Sequence, residues 1–160
     1  MDQIQLQIRA FEAGDTGRLS EIWFEASRRA HAFLGEARLD GQRTLIEEVY
    51  LPNAETWVAC LAGAPVGFIG LVDCFVGGMF VDPDRQGSGI GRALAAHALA
   101  LKGQLELEAY AENRAACAFY RHLGFEEISR RPEDDDGLPF EVILMRLRNI
   151  DRSATQMADA

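Results

Sequence analysis

Apolar and polar side chains alternate at period two through Ile4-Gln5-Leu6-Gln7-Ile8-Arg9, the pattern of a strand with one buried face. The period then lengthens. Leu19, Ile22, Trp23 and Ala26 recur at helical spacing and Asp15 stands where an N-cap would, so a first helix is expected over residues 15–31. Gly35 and Gly41 bracket a break, after which Leu45, Ile46, Val49 and Tyr50 predict a short second helix stopped by Pro52. Residues 56–61 and 66–71 are β-rich runs joined by Ala62-Gly63-Ala64-Pro65, a hairpin signal, and residues 75–81 follow closely enough to extend an antiparallel meander. Ile90, Leu94, Ala98 and Leu101 then line one face of a helix that Gly103 closes. Leu105-Glu106-Leu107-Glu108-Ala109 alternates again, Asn113 opens a helix over residues 114–123 that ends at Gly124, and residues 125–128 and 140–147 are the last strands. Between those two strands, residues 131–139 are acidic and turn-rich and read as a solvated loop. The order is β-α-α-β-β-β-α-β-α-β-β, an α/β arrangement with a mixed central sheet of about seven strands and flanking helices. Residues 1–148 are expected to form one domain, and residues 149–160, where periodicity is lost, a disordered tail.

The chemistry concentrates between the third run of the meander and the helix after it, in Val81-Asp82-Pro83-Asp84-Arg85-Gln86-Gly87-Ser88-Gly89-Ile90-Gly91-Arg92. Glycines there let backbone N–H groups approach a ligand with no Cβ in the way, and the first helical turn adds donors at the positive end of the helix dipole. Such a junction suits phosphate. A dinucleotide fingerprint is excluded because the third glycine position falls on Leu94 or Arg92, and a P-loop because no lysine follows the glycines.

Composition narrows the partners. A formal charge of -9 argues against nucleic acid, whose binders carry basic patches, and favours attraction of cationic amines. An anionic ligand would therefore need local positive charge, for which Arg85, Arg92 and Arg114 are the nearest sources. Cys60, Cys74 and Cys117 are too scattered for a disulfide framework or a metal site and read as small buried hydrophobes; the histidines lack metal spacing, so no metal is expected. The first residues have neither a basic nor an apolar segment of signal length, and no apolar run approaches a membrane span; a cytoplasmic location without membrane contact is expected.

Gln86-x-x-Gly89-x-Gly91, preceded by Arg85, resembles the acetyl-CoA pyrophosphate loop of the GCN5-related N-acetyltransferases. Asn113-x-x-Ala116-x-x-Phe119-Tyr120-x-x-x-Gly124-Phe125 resembles a second motif of that family, in the right order, so the likeness extends over nearly the whole chain. Ala30-His31-x-Phe33-Leu34 and Gly137-x-Pro139-Phe140 are similar to a bacterial YjaB-type subgroup. The resemblance implies the acyl-CoA N-acyltransferase fold, with a V-shaped split between the strand ending near Val81 and the strand over residues 105–109. It implies that the pantetheine arm lies there against Phe80 and Val81, and that N–H groups of Gln86, Gly87, Ser88, Gly89, Ile90 and Gly91 take the pyrophosphate beside Arg85 and Arg92. Asn113, Ala116, Phe119 and Tyr120 complete the implied coenzyme contacts, although Asn113 reads equally as a plain N-cap.

The implied activity is acetyl-CoA-dependent N-acetylation of a primary amine on a small molecule or protein, by direct transfer in a ternary complex and by a monomer or homodimer. Tyr120 is then the general acid for the departing sulfur, since an ordinary phenol keeps its proton at neutral pH; the competing reading is a packing tyrosine. The base is open. Many relatives carry an acid at the start of the strand before the loop, where this chain has Gly77-Gly78. His31, Glu108, Tyr50 and Asp73 are the alternatives; His31 also reads as a cap or packing group, and Glu106 and Glu108 as a solvated face. Nothing marks Cys117 as an activated nucleophile. Two other functions fit parts of the pattern: a non-catalytic acyl-CoA-binding or regulatory module, suggested by the missing acid, and a tRNA-acetylating toxin, disfavoured by the acidic balance.

Overall fold

A computed structural model describes residues 5–30 and 35–149. Its strands are β1 (Leu6–Ala10), β2 (Glu55–Leu61), β3 (Ala64–Val72), β4 (Phe75–Val81), β5 (Gln104–Tyr110), β6 (Glu126–Arg131) and β7 (Val142–Arg148). The helices are α1 (Thr16–Ala30), α2 (Glu36–Leu45), α3 (Leu51–Asn53), α4 (Ile90–Lys102) and α5 (Arg114–Leu123), with a π turn at Ile46–Tyr50 linking α2 to α3.

The sheet runs β1-β2-β3-β4-β5-β7-β6, and every neighbouring pair is antiparallel except β4–β5. The hairpin between β2 and β3 turns on Ala62 and Gly63, both at positive φ (50° and 82°), as a two-residue turn matched to strand twist requires. Gly70 pairs with Gly78 while Leu71 pairs with Val76, which leaves Gly77 as an extra residue in β4, a β-bulge. Strands β4 and β5 pair only at Phe75–Glu106 and Val76–Leu107 and then part.

Each face of the sheet carries its own core. Ile69, Leu71, Val76, Leu105, Leu107 and Met145 pack with Ile90, Leu94 and Ala98 of α4 and Cys117 of α5 on one side. Val58, Cys60 and Phe68 pack with Leu19, Ile22 and Trp23 of α1, Leu39 of α2 and Leu51 of α3 on the other.

Several expectations are corrected. Asp15 does not cap α1: its carboxylate takes the Arg9 guanidinium at 2.8 Å and the Glu12 N–H at 2.9 Å, which leaves it buried in a short 3-10 turn. Gly41 lies inside α2, and Pro52 sits in the first turn of α3, where its missing N–H has no helical duty, so the helical stretch runs on to Asn53. Leu101 is exposed and Ala95 replaces it on the buried face of α4. Cys74 is only half-buried. Phe125 and Phe140 fall outside the last two strands.

The acidic segment before β7 is not simply solvated. Asp134 is buried and collects Arg38 of α2 at 2.8 Å, the Tyr110 hydroxyl at 3.0 Å and the N–H groups of Asp136 and Leu138 at 3.0 and 2.9 Å. Burial alone would push its carboxyl up, but the hydrogen bonds from Arg38, Leu138 and Tyr110 hold it at about 2. His31 with its flanking motif residues 31–34, and residues 150–160 of the expected tail, lie outside the described residues.

Candidate active site

The parting of β4 from β5 opens a cleft of about 930 Å³. Its floor and walls follow from the sequence locally. Asp82 keeps its N–H on the Val66 carbonyl at 2.8 Å, so the chain stays tied to β3 until the loop begins, and the Asp82 carboxylate then caps the Pro83–Arg85 turn through the Asp84 N–H at 3.0 Å. Arg18 of α1 adds an ion pair to Asp82 at 2.7 Å. Gly87 and Gly89 follow at φ 85° and 86°, left-handed backbone that a side chain resists. Helix α4 starts there, and its first backbone bond runs from the Ala93 N–H to the Gly89 carbonyl, so the N–H groups of Ile90, Gly91 and Arg92 precede any helical acceptor.

Phe80, Val81, Arg85, Gln86, Gly87, Gly89, Ile90, Gly91, Arg92, Asn113, Ala116, Phe119 and Tyr120 all line this one cleft. Ser88 does not; its hydroxyl donates back to the Arg85 carbonyl and braces the loop. The Ile90 side chain is buried in the core, which leaves its backbone as the group able to meet a ligand. The Phe80 ring is anchored on Phe68 and Trp23, at centroid distances of 5.5 and 6.4 Å. Asn113 caps α5, its side-chain oxygen accepting from the Ala116 N–H at 3.2 Å, while also lining the cleft.

Tyr120 projects from α5 between Phe119 and Phe125, each 5.6 Å away between ring centroids. Burial, with a smaller contribution from Cys117, pushes its phenol up to about 12, so it holds its proton throughout the neutral range. Cys117 is buried, its S–H donates to the Tyr110 carbonyl at 3.4 Å, and burial raises its pKa further. That is an inert thiol.

The candidate bases separate. Glu108 lines the cleft but accepts from Arg131 at 2.9 Å, and Arg131 also reaches Asp135 at 2.9 Å. Glu106 is paired with Arg146 at 2.9 Å. Asp73 lies in the turn between β3 and β4 at φ 54°, outside the cleft lining. The Tyr50 ring lies across Gly70 and Gly77, where any Cβ would strike its hydroxyl, and burial pushes that phenol up to about 12. Among the described residues no cluster of three or more His, Cys, Asp or Glu could hold a metal ion, and no helix is long and apolar enough to cross a membrane.

Sequence reasoning missed Ser27, Tyr110, Arg131 and Asp134, which also line the cleft. Ser27 is visible only once α1 packs against β4, and Asp134 was hidden in a run of three aspartates that looks uniformly solvated.

The family model described as the acetyltransferase (GNAT) domain matches residues 52–127. The chain is 33% identical over 141 residues to the peptidyl-lysine N-acetyltransferase YjaB of Salmonella typhimurium, covering 88% of this chain and 97% of that protein. Among solved structures, apo YjaB from Escherichia coli superposes with a TM-score of 0.82 at 30% identity, covering 89% of this chain and 97% of that one. The PaiA N-acetyltransferase of Thermoplasma acidophilum, solved in complex with coenzyme A, gives a TM-score of 0.76 at 16% identity over 91% of this chain and 100% of that one.

Proposed function

Since this chain belongs to the GNAT acetyltransferase family, we propose that its acetyl-CoA-dependent N-acetyltransferase activity is directed at lysine side chains of peptides or proteins, with Tyr120 as the acid. The acceptor class is supported by the YjaB relative, which is a peptidyl-lysine N-acetyltransferase. It is also supported by the acidic balance of the chain.

One observation carries the reading. The parted strands, the glycine loop and Tyr120 share a single cleft, so a ligand held at one end reaches the phenol at the other. N–H groups of residues 86–91, with Arg85 and Arg92 beside them, hold the diphosphate of acetyl-CoA. Backbone groups of β4 and β5 beyond their last paired residues take the amides of the pantetheine arm. The lysine nitrogen, arriving neutral, forms its bond to the acetyl carbon as the carbon–sulfur bond breaks. Tyr120 gives its proton to the sulfur, and the proton shed by nitrogen returns through water to the phenolate. The inert setting of Cys117 favours this direct transfer over an acetyl-enzyme. The single continuous sheet supports one domain.

The test is incubation with acetyl-CoA and lysine-containing peptides, following thiol release and peptide mass together. Acetylated lysine with stoichiometric coenzyme A is expected. Thiol release only with small polyamines or α-amines would overturn the acceptor assignment.

A further inference from the structure

The sheet falls into two halves, β1-β2-β3-β4 and β5-β7-β6, joined through Phe75–Glu106 and Val76–Leu107 before β4 and β5 part. On the α4 side both halves rest on a common support, because α4 packs on β4 and on β5. On the α1 side a pair of ions joins them. Arg38 belongs to α2, whose Leu39 packs with Val58 and Phe68 in the core of the first half. Asp134 belongs to the segment between β6 and β7 of the second half. Their side chains are 18% and 3% exposed and meet at 2.8 Å.

The two carboxylate oxygens of Asp134 have separate duties. Oδ1 accepts from the N–H groups of Asp136 and Leu138 at 3.0 and 2.9 Å, which shapes its own turn. Oδ2 accepts from Arg38 at 2.8 Å and from the Tyr110 hydroxyl at 3.0 Å. Tyr110 ends β5 and lines the cleft, so the tie runs from α2 through Asp134 to the strand that β4 has left. Separating ions this buried would strand a charge away from water, so the tie resists opening.

The gap it spans has a required width. An extended arm of amides that bonds the parted strands on both sides needs each margin about 4.8 Å away, the ordinary strand spacing. A seam of two residue pairs at Phe75 and Val76 does not fix that spacing as far along as Phe80 and Val81. We propose that Arg38 and Asp134 are positioning residues that set the gap between β4 and β5, and with it the seat for the pantetheine arm. The inference rests on the coenzyme placement in the reading above and adds the pair that holds the seat to width. Both residues act through the strands and take no part in the chemistry.

The experiment measures calorimetric Kd values for coenzyme A and for its 3′-phosphorylated ADP fragment, which keeps the diphosphate and lacks the arm. Wild type is compared with Arg38→Met, with Asp134→Asn, which keeps an oxygen for the Asp136 and Leu138 N–H groups, and with the double variant; thermal unfolding is followed alongside. Each variant is expected to bind coenzyme A about fivefold or more weakly, the size of effect of one or two hydrogen bonds lost from the arm. Binding of the fragment should stay within twofold of wild type. The double variant leaves neither ion of the pair without its partner, so its Tm should recover above the lower of the single variants while its coenzyme affinity stays weak. Coenzyme A affinities within twofold of wild type would overturn the proposal, as would equal losses for coenzyme and fragment. Recovery of coenzyme affinity in the double variant would also overturn it, since the defect would then belong to an unpaired charge. A wild-type chain that binds coenzyme A no more tightly than the fragment removes the proposed seating of the arm and this inference together; tighter coenzyme binding with unaffected variants removes the inference alone.

Discussion

Replacing Tyr120 by phenylalanine deletes one oxygen and keeps the ring between Phe119 and Phe125, so the loss measures the hydroxyl. Its size follows from the site. The phenol stands at about 12, well above an ordinary thiol near 8.5, so the proton stays largely on oxygen while charge gathers on sulfur and passes over only as the proton shed by nitrogen replaces it. The hydroxyl therefore contributes mainly as a hydrogen bond to charge gathering on sulfur, worth about 1.5–3 kcal/mol for a charged partner. That converts to a fall in kcat of about ten- to hundredfold, toward the low end of general-acid effects. The KM for acetyl-CoA should hold, because the proposed diphosphate contacts lie on the glycine loop. The sign with pH is also set: Tyr120 serves only while protonated, so its contribution is complete below about 12 and is lost as pH rises through that value. Thiol release under saturating peptide, followed from neutral to strongly alkaline pH, is the assay. A Tyr120→Phe chain with kcat within twofold of wild type would refute the acid role, and a tyrosine-dependent alkaline decline centred near pH 9 would refute the desolvated phenol.

Three further outcomes follow. Gly89→Ala adds a Cβ in open space but at φ 86°, a strain of about 1–2 kcal/mol, and should raise the KM for acetyl-CoA several-fold while kcat changes little; equal KM values would detach the loop from the diphosphate. Gly77→Ala drives a methyl into the Tyr50 phenol and should lower unfolding stability by about 1–3 kcal/mol in urea titration, whereas an unchanged midpoint would show that the ring yields freely. Asp134 has its carboxyl held at about 2 against an ordinary 3.8, so its stabilisation is present above pH 4 and disappears as pH falls toward 2. Tm curves of wild type and Asp134→Asn should therefore lie apart at pH 7 and converge near pH 2; a constant gap would contradict the pairing with Arg38.

Much of the architecture is legible in short-range pattern. The two-residue alternation of β1 and β5, the positive-φ glycines closing α4 and α5 at Gly103 and Gly124, and the Asn113 cap are local requirements, and each stands where it was expected. The glycine loop is legible for the same reason. What was misread depends on partners distant in the chain or on competition between local choices. Asp15 prefers the Arg9 guanidinium to a helix N–H, and Asp134 differs from its acidic neighbours because Arg38, 96 residues earlier, comes to rest on it. The glycines at 70 and 77 mark the resting place of Tyr50, a relation that only strand register and the path of the α2–α3 segment disclose.

The seam between β4 and β5 is two residue pairs long, so the seven strands amount to a four-stranded leaf and a three-stranded leaf welded at one corner. Four strands carry the bulge, and three carry the rim that leads into α5. The margins where the strands part offer backbone groups to an extended chain of amides. On the proposed reading the coenzyme arm is that chain, a removable eighth strand tying the two leaves together only while the donor is bound.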